Sequence, residues 1–386
     1  MKVGIVGLGY RLGYLAQVFT QMHPDFEIAG YVDPAPAGMG LLEEKGISPG
    51  TAYESVEELL KAEDLDLLMV GSPNYMHLQH IRAGFEAGVK VFSEKPVVTT
   101  KEDSFELAKL LAKYGVENLL IGLVLRYAPL YTDLRAAQAR GELGDVVSIE
   151  ASEHIPPYHG AFFMRDWRRY DRWAGGFMLE KCCHDIDLYN GVIGARPERV
   201  SSFGGRRSFV PANDPRNRGI NDLGVYSQKP SGWNGSDKVF DSDAEIIDYQ
   251  VAIVEYENGA ALNFHTNLNV PDDFRRFAVI GTRGMAEGDF VRGYLNVTDS
   301  HTRQPLQRKV YEASELSHHY GADEEMAKGV IASVLTGAKQ PVSVLDALEA
   351  GLLVMAMDEA RAKRSVIEMS RTWDLFDEAL NARVPA

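Results

Sequence analysis

The chain has 386 residues, of which 45% are hydrophobic and 25% charged, a composition typical of a globular protein large enough for two domains. Its net charge of −15 argues against binding to nucleic acid or to anionic membranes, because both depend on clustered Lys and Arg. The sequence contains no apolar run long enough to cross a membrane, and the run at 1–7 is too short for a signal peptide.

The two cysteines, Cys182 and Cys183, are adjacent and cannot form a disulfide framework. We therefore expect a reducing, cytoplasmic location. A redox pair or a covalent nucleophile is the alternative, but buried cysteines more often serve as small apolar packing groups, which is the interpretation we favour.

Short apolar, β-rich runs alternate with helical periodicity through the first third of the chain. Strands are expected at 2–6, 26–32, 65–70, 89–92 and 119–124. The alternation predicts a doubly wound parallel sheet of the Rossmann type over residues 1–124. Ligands of such sheets bind at the carboxyl ends of the strands, where Gly7, Asp33, Asn74 and Lys95 all fall. The fold thus brings four separated residues to one rim.

The turn after the first strand is glycine-rich, but Leu12 stands where the third glycine of Gly-x-Gly-x-x-Gly is usual. Its context favours a dinucleotide site in which Gly7 makes the turn and Gly9 lets the pyrophosphate approach the backbone. Asp33, 24 residues after Gly9, suits the adenosine ribose and would repel a 2′-phosphate, so we predict NAD, with NADP less favoured. The alternative is that Asp33 caps a turn before Pro34.

The pattern changes near residue 125. A helix is expected at 131–138, followed by strands at 146–152, 200–203, 248–255, 260–267, 275–281 and 294–298. The hairpin signal at Asn258-Gly259 indicates antiparallel neighbours, and helices are expected at 323–335 and 344–361. We predict a second, α+β domain over residues 125–386 with an open, mainly antiparallel sheet.

A polar segment at 205–243 is too long for an ordinary connection and is either functional or a mobile surface insertion. Its side chains could reach a polar ligand or a neighbouring subunit. Those of interest are Arg206, Arg207, Arg216, Arg218, Trp233 and Asn234.

If the segment after Gly175-Gly176 is helical, Glu180, His184 and Asp187 share one face at spacings of four and three. The carboxylate could then orient the imidazole, which can accept or return a proton near neutral pH. Lys95 could polarise the same substrate oxygen. A satisfied structural histidine is the ordinary alternative, and a metal site is another, but the chain lacks a complete zinc signature and we predict no metal.

Taken together, the motifs resemble the Gfo/Idh/MocA family of glucose–fructose oxidoreductases, inositol dehydrogenases and rhizopine-catabolism oxidoreductases. The resemblance covers nearly the whole chain, and its most specific element is the strand that ends in Glu94-Lys95-Pro96. The other elements are Val6-Gly7-Leu8-Gly9-Tyr10-Arg11, Ser72-Pro73-Asn74 with His77, Arg126-Tyr127, Gly141-Glu142-Leu143-Gly144, Gly175-Gly176 and His184-Asp185-Ile186-Asp187.

The resemblance implies a Rossmann domain, a second domain with an open sheet, and a homodimer or homotetramer formed through that sheet. It implies that Lys95 lies where nicotinamide and substrate meet and that His184 is the acid–base catalyst, while Glu180 replaces a more usual aspartate. The cofactor contacts that it implies are Gly7, Gly9, Tyr10, Arg11, Leu12, Asp33, Ser72, Pro73, Asn74, His77, Glu94 and Lys95. The candidate substrate contacts are Lys95, Arg126, Tyr127, His154, Trp167, Lys181, His184 and Asp187.

The favoured hypothesis is an NAD-dependent dehydrogenase acting on a secondary hydroxyl of a sugar, a sugar derivative or a cyclitol. The alternative is a redox-assisted glycosidase, in which transient oxidation of a ring hydroxyl lets the aglycone leave. A cofactor-binding protein without catalysis is a third hypothesis, which the presence of both Lys95 and His184 disfavours.

Overall fold

The structure is a computed structural model that describes residues 1–231, 233–312 and 317–381. Its first sheet consists, among the described residues, of β1 (Lys2–Val6), β2 (Glu27–Val32), β3 (Thr51–Ala52), β4 (Leu67–Val70), β5 (Lys90–Ser93) and β6 (Leu119–Ile121). The strands are parallel and lie in the order β3-β2-β1-β4-β5-β6. Because β4 is buried along its whole length, the sheet needs helices on both faces.

Helices connect these strands, as a parallel sheet requires. They are α1 (Tyr10–Met22), α2 (Met39–Glu44), α3 (Val56–Ala62), α4 (His77–Glu86) and α5 (Lys101–Tyr114). A short 3-10 helix, Val124–Tyr127, then leads out of the first domain.

The second sheet is open and mainly antiparallel. In the described part of the chain its strands are β7 (Val146–His154), β8 (Pro197–Gly205), β9 (Tyr249–Tyr256), β10 (Ala261–Asn267), β11 (Phe274–Gly281), β12 (Gly284–Asp289), β13 (Tyr294–Asp299), β14 (Pro305–Val310) and β15 (Ile367–Glu368). They lie in the order β14-β13-β12-β11-β7-β10-β9-β8-β15, and the β10–β7 pair is parallel. The predicted hairpin joins β9 to β10, with Gly259 at φ 83°.

Seven α-helices accompany this sheet in the described part of the chain. They are α6 (Pro129–Ala139), α7 (Pro157–Arg165), α8 (Asp171–Ala174), α9 (Cys183–Ile193), α10 (Ser317–Thr336), α11 (Val344–Lys363) and α12 (Ser370–Asn381). Of these, α6, α9 and α11 pack on its strands. The last part of the chain contacts the first domain again: α10 packs against α1, and α12 packs against α5. Two parts of the chain therefore connect the two domains. One is the segment between β6 and β7, and the other is the group of C-terminal helices.

These observations confirm the predicted fold class, a Rossmann domain followed by a domain with an open, mainly antiparallel sheet. In the described part of the chain, no helix combines the length and apolarity needed to cross a membrane.

Candidate active site

The turn after β1 leaves room for a dinucleotide. Gly7 has φ 83°, and a Cβ there would lie 2.4 Å from the backbone nitrogen of Ser72. A Cβ on Gly9 would meet nothing within 4 Å, and Gly9 begins α1 without a side-chain cap. An uncapped helix N-terminus that faces open space fits a pyrophosphate.

The missing third glycine has a structural reason. Leu12 is buried, and its Cγ lies 2.5 Å from where a Cβ on Gly71 would be. The small residue therefore stands on the facing loop rather than on the helix. Gly13 makes the other close approach, to the backbone of Gly38.

The two residues before Leu12 point in different directions. Tyr10 is 56% exposed at the start of α1. Arg11 instead donates from Nε to Glu94 Oε1 at 2.8 Å, and its Nη2 lies 2.8 Å from Asp323 Oδ1. Arg11 thus ties the glycine-rich turn to the strand end before Lys95 and to α10.

Asp33 follows β2 directly and is partly exposed. Its Oδ1 accepts a hydrogen bond of 2.8 Å from the backbone nitrogen of Ala35, so it does organise the turn at Pro34. The second carboxylate oxygen has no such contact among the described residues, which leaves the ribose-binding interpretation open.

The loop after β4 forms one wall of the cleft. His77 links two segments, since its Nδ1 lies 2.8 Å from the Pro96 carbonyl oxygen and its Nε2 lies 2.8 Å from that of Ser72. The Ser72 hydroxyl lies 2.9 Å from His80 Nδ1. Asn74 is buried and reaches into the second domain, donating to Glu180 Oε2 at 2.5 Å.

Lys95 and Glu180 join the two domains at the centre of the site. Lys95 Nζ donates to the backbone oxygen of Glu180 at 2.6 Å and to its Oε1 at 3.2 Å. Arg168 Nε donates to the same Oε1 at 3.0 Å. Burial alone would raise the pKa of Glu180, but the charges of Lys95 and Arg168 outweigh it and hold that pKa below its ordinary value.

The expected contact between Glu180 and His184 is absent among the described residues, although the two residues lie four apart. Met178–Cys182 form a π-helical turn, and α9 begins only at Cys183. The Glu180 carboxylate is held instead by Asn74, Lys95 and Arg168. The carboxylate of Glu180 therefore turns toward Lys95, not toward the imidazole.

His184 is 6% exposed, and its Nδ1 has no hydrogen-bond partner among the described residues. Burial lowers its pKa well below 6.5, and the positive charges of Lys95 and Arg275 lower it further. His184 is thus a neutral imidazole, and it lies close enough to Lys95 for the charge of the lysine to lower its pKa.

Lys181 belongs to a buried charge network behind His184. Its Nζ lies 3.2 Å from Glu153 Oε1, and Arg275 Nε lies 2.8 Å from both Glu153 Oε2 and Asp185 Oδ1. Lys181 retains some exposure, with 22% of its side chain open to solvent. Glu153 and Arg275, which the sequence analysis did not select, therefore set the charge on this side of the site.

Arg126 and Asp187 pair with each other. Arg126 donates from Nε and Nη2 to the two carboxylate oxygens of Asp187, at 2.7 and 2.8 Å, and the Asp187 side chain is 1% exposed. Tyr127 donates its hydroxyl to Gln340 Oε1. These side chains are engaged in packing the second domain, so as substrate contacts they remain predictions.

His154 lies on the opposite face of the second sheet from Glu153. Neighbouring residues of a strand alternate between faces, and Glu153 faces the site through Lys181 and Arg275. The His154 ring accordingly packs against His265 and Phe274, with ring centroids 4.8 and 4.5 Å apart. As a substrate contact, His154 remains a prediction.

The sequence analysis passed over His159, a histidine near enough to Lys181 and Lys95 for their charges to act on it. Burial lowers its pKa well below 6.5, assisted by the charges of Lys181, Lys95 and Arg168. No short motif marks His159, because its orientation depends on how α7 packs.

Trp167 is buried and forms one end of an aromatic group. Its ring is parallel to that of Trp233, with centroids 6.1 Å apart, and Arg168 lies 4.3 Å above it. Asp166 accepts hydrogen bonds from the backbone and hydroxyl of Ser231, at 2.8 and 3.0 Å. The segment after β8 is therefore anchored beside Arg168 and Glu180.

Both cysteines are buried thiols with no disulfide. Burial raises the pKa of Cys183 to about 12 and that of Cys182 still more clearly above its ordinary value. The thiolate needed for nucleophilic or redox chemistry is therefore disfavoured. The described residues hold no group of three or more His, Cys, Asp or Glu side chains placed to bind a metal ion.

A glycine-rich helix start in a Rossmann domain, closed by a second domain that meets it through Lys95 and Glu180, defines a two-domain oxidoreductase that binds a nicotinamide dinucleotide. Comparison with known families agrees with this class. Residues 1–122 match the oxidoreductase family's NAD-binding Rossmann fold, and residues 137–369 match its C-terminal alpha/beta domain. The chain belongs to the Gfo/Idh/MocA family.

Curated relatives are distant. The putative oxidoreductase YteT of Bacillus subtilis is 22% identical over 72% of this chain and 73% of its own. The 2,7-anhydro-N-acetylneuraminate hydratase of Escherichia coli is 24% identical over 53% of each chain. Among solved structures, scyllo-inositol dehydrogenase from Lactobacillus casei with bound NAD(H) and scyllo-inositol has a TM-score of 0.72 at 20% identity, covering 96% of this chain and 99% of its own. The structural likeness shows a shared fold.

Proposed function

We propose that this protein is an NAD-dependent oxidoreductase that transfers hydride between NAD and a secondary hydroxyl of a sugar, a sugar derivative or a cyclitol. The observation that carries the proposal is the meeting of Lys95 from the first domain with Glu180 from the second, beside the neutral, buried His184. An amine and an imidazole at one cleft are the groups that alcohol oxidation requires.

His184 is the base in this proposal. Oxidation of an alcohol releases the hydroxyl proton, and a neutral imidazole can accept it directly. Burial, assisted by the charges of Lys95 and Arg275, lowers the pKa of His184 and keeps it in this form at neutral pH. In the reverse direction the same ring returns the proton.

Lys95 stabilises the substrate oxygen as negative charge develops on it. Glu180 holds the ammonium group in place through its carboxylate and its backbone oxygen, and Asn74 and Arg168 in turn hold the carboxylate. Bound NAD supplies the hydride acceptor. Glu180 therefore acts in this proposal by positioning Lys95 rather than by orienting His184.

The residues that hold the cofactor are, in this proposal, the turn at Gly7 and Gly9, the carboxylate of Asp33, and the wall formed by Ser72 to His77. Lys181, Trp167 and His159 line the substrate side. The polar lining fits a polyol, and the named substrate of the Lactobacillus casei structure, scyllo-inositol, belongs to that class.

The test is a panel of inositols and sugars with NAD, read by the appearance of NADH. Lys95→Ala and His184→Ala should each lower kcat by about a hundredfold or more while the protein folds and binds NAD. Lys90→Ala, at the start of the strand whose far end leads to Lys95, is the matched control and should keep normal turnover. Near-normal turnover in both site variants would contradict the assigned roles.

A redox-assisted glycosidase is the second candidate. The observation that favours it is the hydratase among the relatives, whose name describes a reaction on an anhydro-sugar. The two functions differ in their products, because a dehydrogenase accumulates NADH while a glycosidase releases free sugar without net NADH. Assaying both products with sugars and with aryl glycosides decides between them.

The proposed assembly is a homodimer or homotetramer formed through the open face of the second sheet. Apolar side chains remain exposed on that face, including Phe203 at 70% and Ile253 at 56%. A second copy of the chain would remove them from water.

A further inference from the structure

A second imidazole faces the site from α10, outside the residues that the sequence analysis selected. The ring centroids of His184 and His319 are 6.3 Å apart. The side chain of His319 is 38% exposed, whereas His184 is 6% exposed. His319 therefore lies between the buried base and the solvent.

Asp323 fixes the orientation of the His319 ring. Its Oδ2 lies 2.9 Å from His319 Nδ1, and its side chain is fully buried. A carboxylate only accepts hydrogen bonds, and Asp323 lies closer to Nδ1 than the Arg11 Nη1 does, at 2.9 against 3.4 Å, so this pairing favours the proton on Nδ1 and leaves Nε2 as an acceptor. Burial would raise the pKa of Asp323, but His319 and Arg11 outweigh it and keep this carboxylate ionised.

The backbone that presents His319 is unusual. His319, Tyr320 and Gly321 have φ values of 40°, 61° and 78°, so two residues with side chains adopt the left-handed region in succession. This region is unfavourable for residues with a Cβ, and backbone strain of this kind is concentrated at functional sites. Tyr320 anchors the turn by packing its ring against Phe290, with centroids 5.6 Å apart.

A buried base needs a route by which its proton leaves. Burial and the nearby positive charges disfavour the imidazolium form of His184, so the cation formed in each oxidation must be discharged before the next turnover. Its Nδ1 has no hydrogen-bond partner among the described residues that could take the proton.

We infer that His319, oriented by Asp323, is a proton-relay residue that carries the substrate proton from His184 to solvent. The inference rests on the proposed function. Centroids 6.3 Å apart leave the ring nitrogens too far apart for a direct hydrogen bond and suit one bridging water.

The proton and the electrons balance in this scheme. The hydride leaves the alcohol carbon for NAD, and the hydroxyl proton passes to His184, which becomes imidazolium. His184 returns to neutral when the bridging water takes its proton and gives one to His319 Nε2. His319 then releases a proton to buffer, so each turnover yields one ketone, one NADH and one solvent proton.

The charged and titratable groups around His319 favour this direction. Asp323 on its own helix stabilises the cation, while Arg11 on α1 and Lys181 beside α9 oppose it, and His184 faces it across the cleft. Burial lowers the pKa of both imidazoles, but among the described residues only His319 has a carboxylate within hydrogen-bond distance to stabilise its cation. Proton transfer from His184 to His319 therefore runs toward the better base.

The test compares the native enzyme with the His319→Gln and Asp323→Ala variants, using the panel compound that the native enzyme oxidises fastest. Both variants should lower kcat by roughly tenfold, leave KM little changed, and recover most of the lost rate when free imidazole is added as buffer. In His319→Gln the pH–rate profile should flatten on its acid side, because the second imidazole is gone. His301→Gln, at an exposed turn, is the matched control.

His319→Asn and Asp323→Asn provide further variants if the first pair is unstable, with melting temperatures measured for all. Full turnover in the His319 variants overturns the inference, and so does a loss that imidazole fails to restore. If the native enzyme oxidises no compound of the panel, the proposed function and this inference fail together. If it does oxidise one, these variants test the relay alone.

Discussion

The position of one side chain, Glu180, determines how charge is distributed at the site. Its carboxylate contacts Asn74, Lys95 and Arg168. It therefore offsets the positive charges of Lys95 and Arg168, which would otherwise act on the His184 imidazole uncompensated. His184 receives no compensating carboxylate in the contacts of the described residues and stays neutral. The position of the Glu180 carboxylate therefore explains two features of the site: the ammonium group of Lys95 is held in place, and His184 remains a neutral base.

The first prediction concerns the pH dependence of His184. Its folded-state pKa lies well below 6.5, so the neutral, active form persists above that value and is lost only as the pH falls through the lowered pKa. The acid limb of kcat/KM for alcohol oxidation should therefore lie below pH 6.5. Lys181→Gln removes one of the charges that lower this pKa and should move the limb to higher pH.

The measurement is kcat/KM against pH at saturating NAD, for the native enzyme and for Lys181→Gln. Lys109→Gln, an exposed lysine of α5, should leave the limb in place. A limb above pH 6.5 in the native enzyme would contradict the electrostatic account of His184. A downward shift in Lys181→Gln would contradict it as well.

At the scale of elements, the sequence predicts strands well where apolar or β-branched runs are buried. β1 matches its prediction at both ends, and β10 differs by one residue. β12 escaped prediction because Gly284-Met285-Ala286-Glu287-Gly288-Asp289 has little β propensity and becomes a strand only between β11 and β13. Pairing with its two neighbouring strands therefore makes this segment a strand, although its local sequence does not favour one.

The sequence likewise predicts some residues of the candidate site and misses others. Lys95, Asn74 and Gly7 follow from the rule that ligands bind at the carboxyl ends of parallel strands. The direction of Glu180 did not follow, because it depends on tertiary contacts with Asn74, Lys95 and Arg168. His319 and Asp323 stand four residues apart in the sequence, but their role depends on the packing of α10 against α1, which no local pattern encodes.

The second prediction concerns the contact between the nucleotide-binding turn and the loop after β4. Gly71→Ala should destabilise the protein by about 1–3 kcal/mol, because its Cβ would meet Leu12 Cγ at 2.5 Å. Leu12→Ala alone should cost about 2–5 kcal/mol through the cavity it leaves. In the double variant the added methyl group finds space, so the two costs should not add.

Denaturant unfolding of the four proteins measures this coupling. Gly9→Ala provides the contrast, since a Cβ there meets nothing within 4 Å and should leave stability nearly unchanged while weakening NAD binding. Additive costs in the double variant would show that Leu12 and Gly71 do not share this space.

At the scale of the whole molecule, the chain uses the two faces of its second sheet differently. Strand alternation sends Glu153 and Arg275 toward the site, while Phe203 and Ile253 project from the other face. The register pairs Phe203 with Val251 and Ile280 with Met285, so the exposed apolar side chains lie on neighbouring strands. An open antiparallel sheet tolerates one solvated face, but this one is apolar at several positions.

The third prediction is that this face holds copies of the chain together. The native protein should migrate as a dimer or tetramer, and Phe203→Asp combined with Ile253→Asp should yield a folded monomer, because each carboxylate would have to be buried unpaired in the assembly. Val116→Asp, at a comparably exposed apolar residue of the first domain, should leave the native mass unchanged. Light scattering coupled to gel filtration measures the mass. A native monomer, or an assembly that survives both aspartates, would place the contact elsewhere on the molecule. Because the site of each chain lies on the opposite side of the sheet, the separated monomers should still bind NAD.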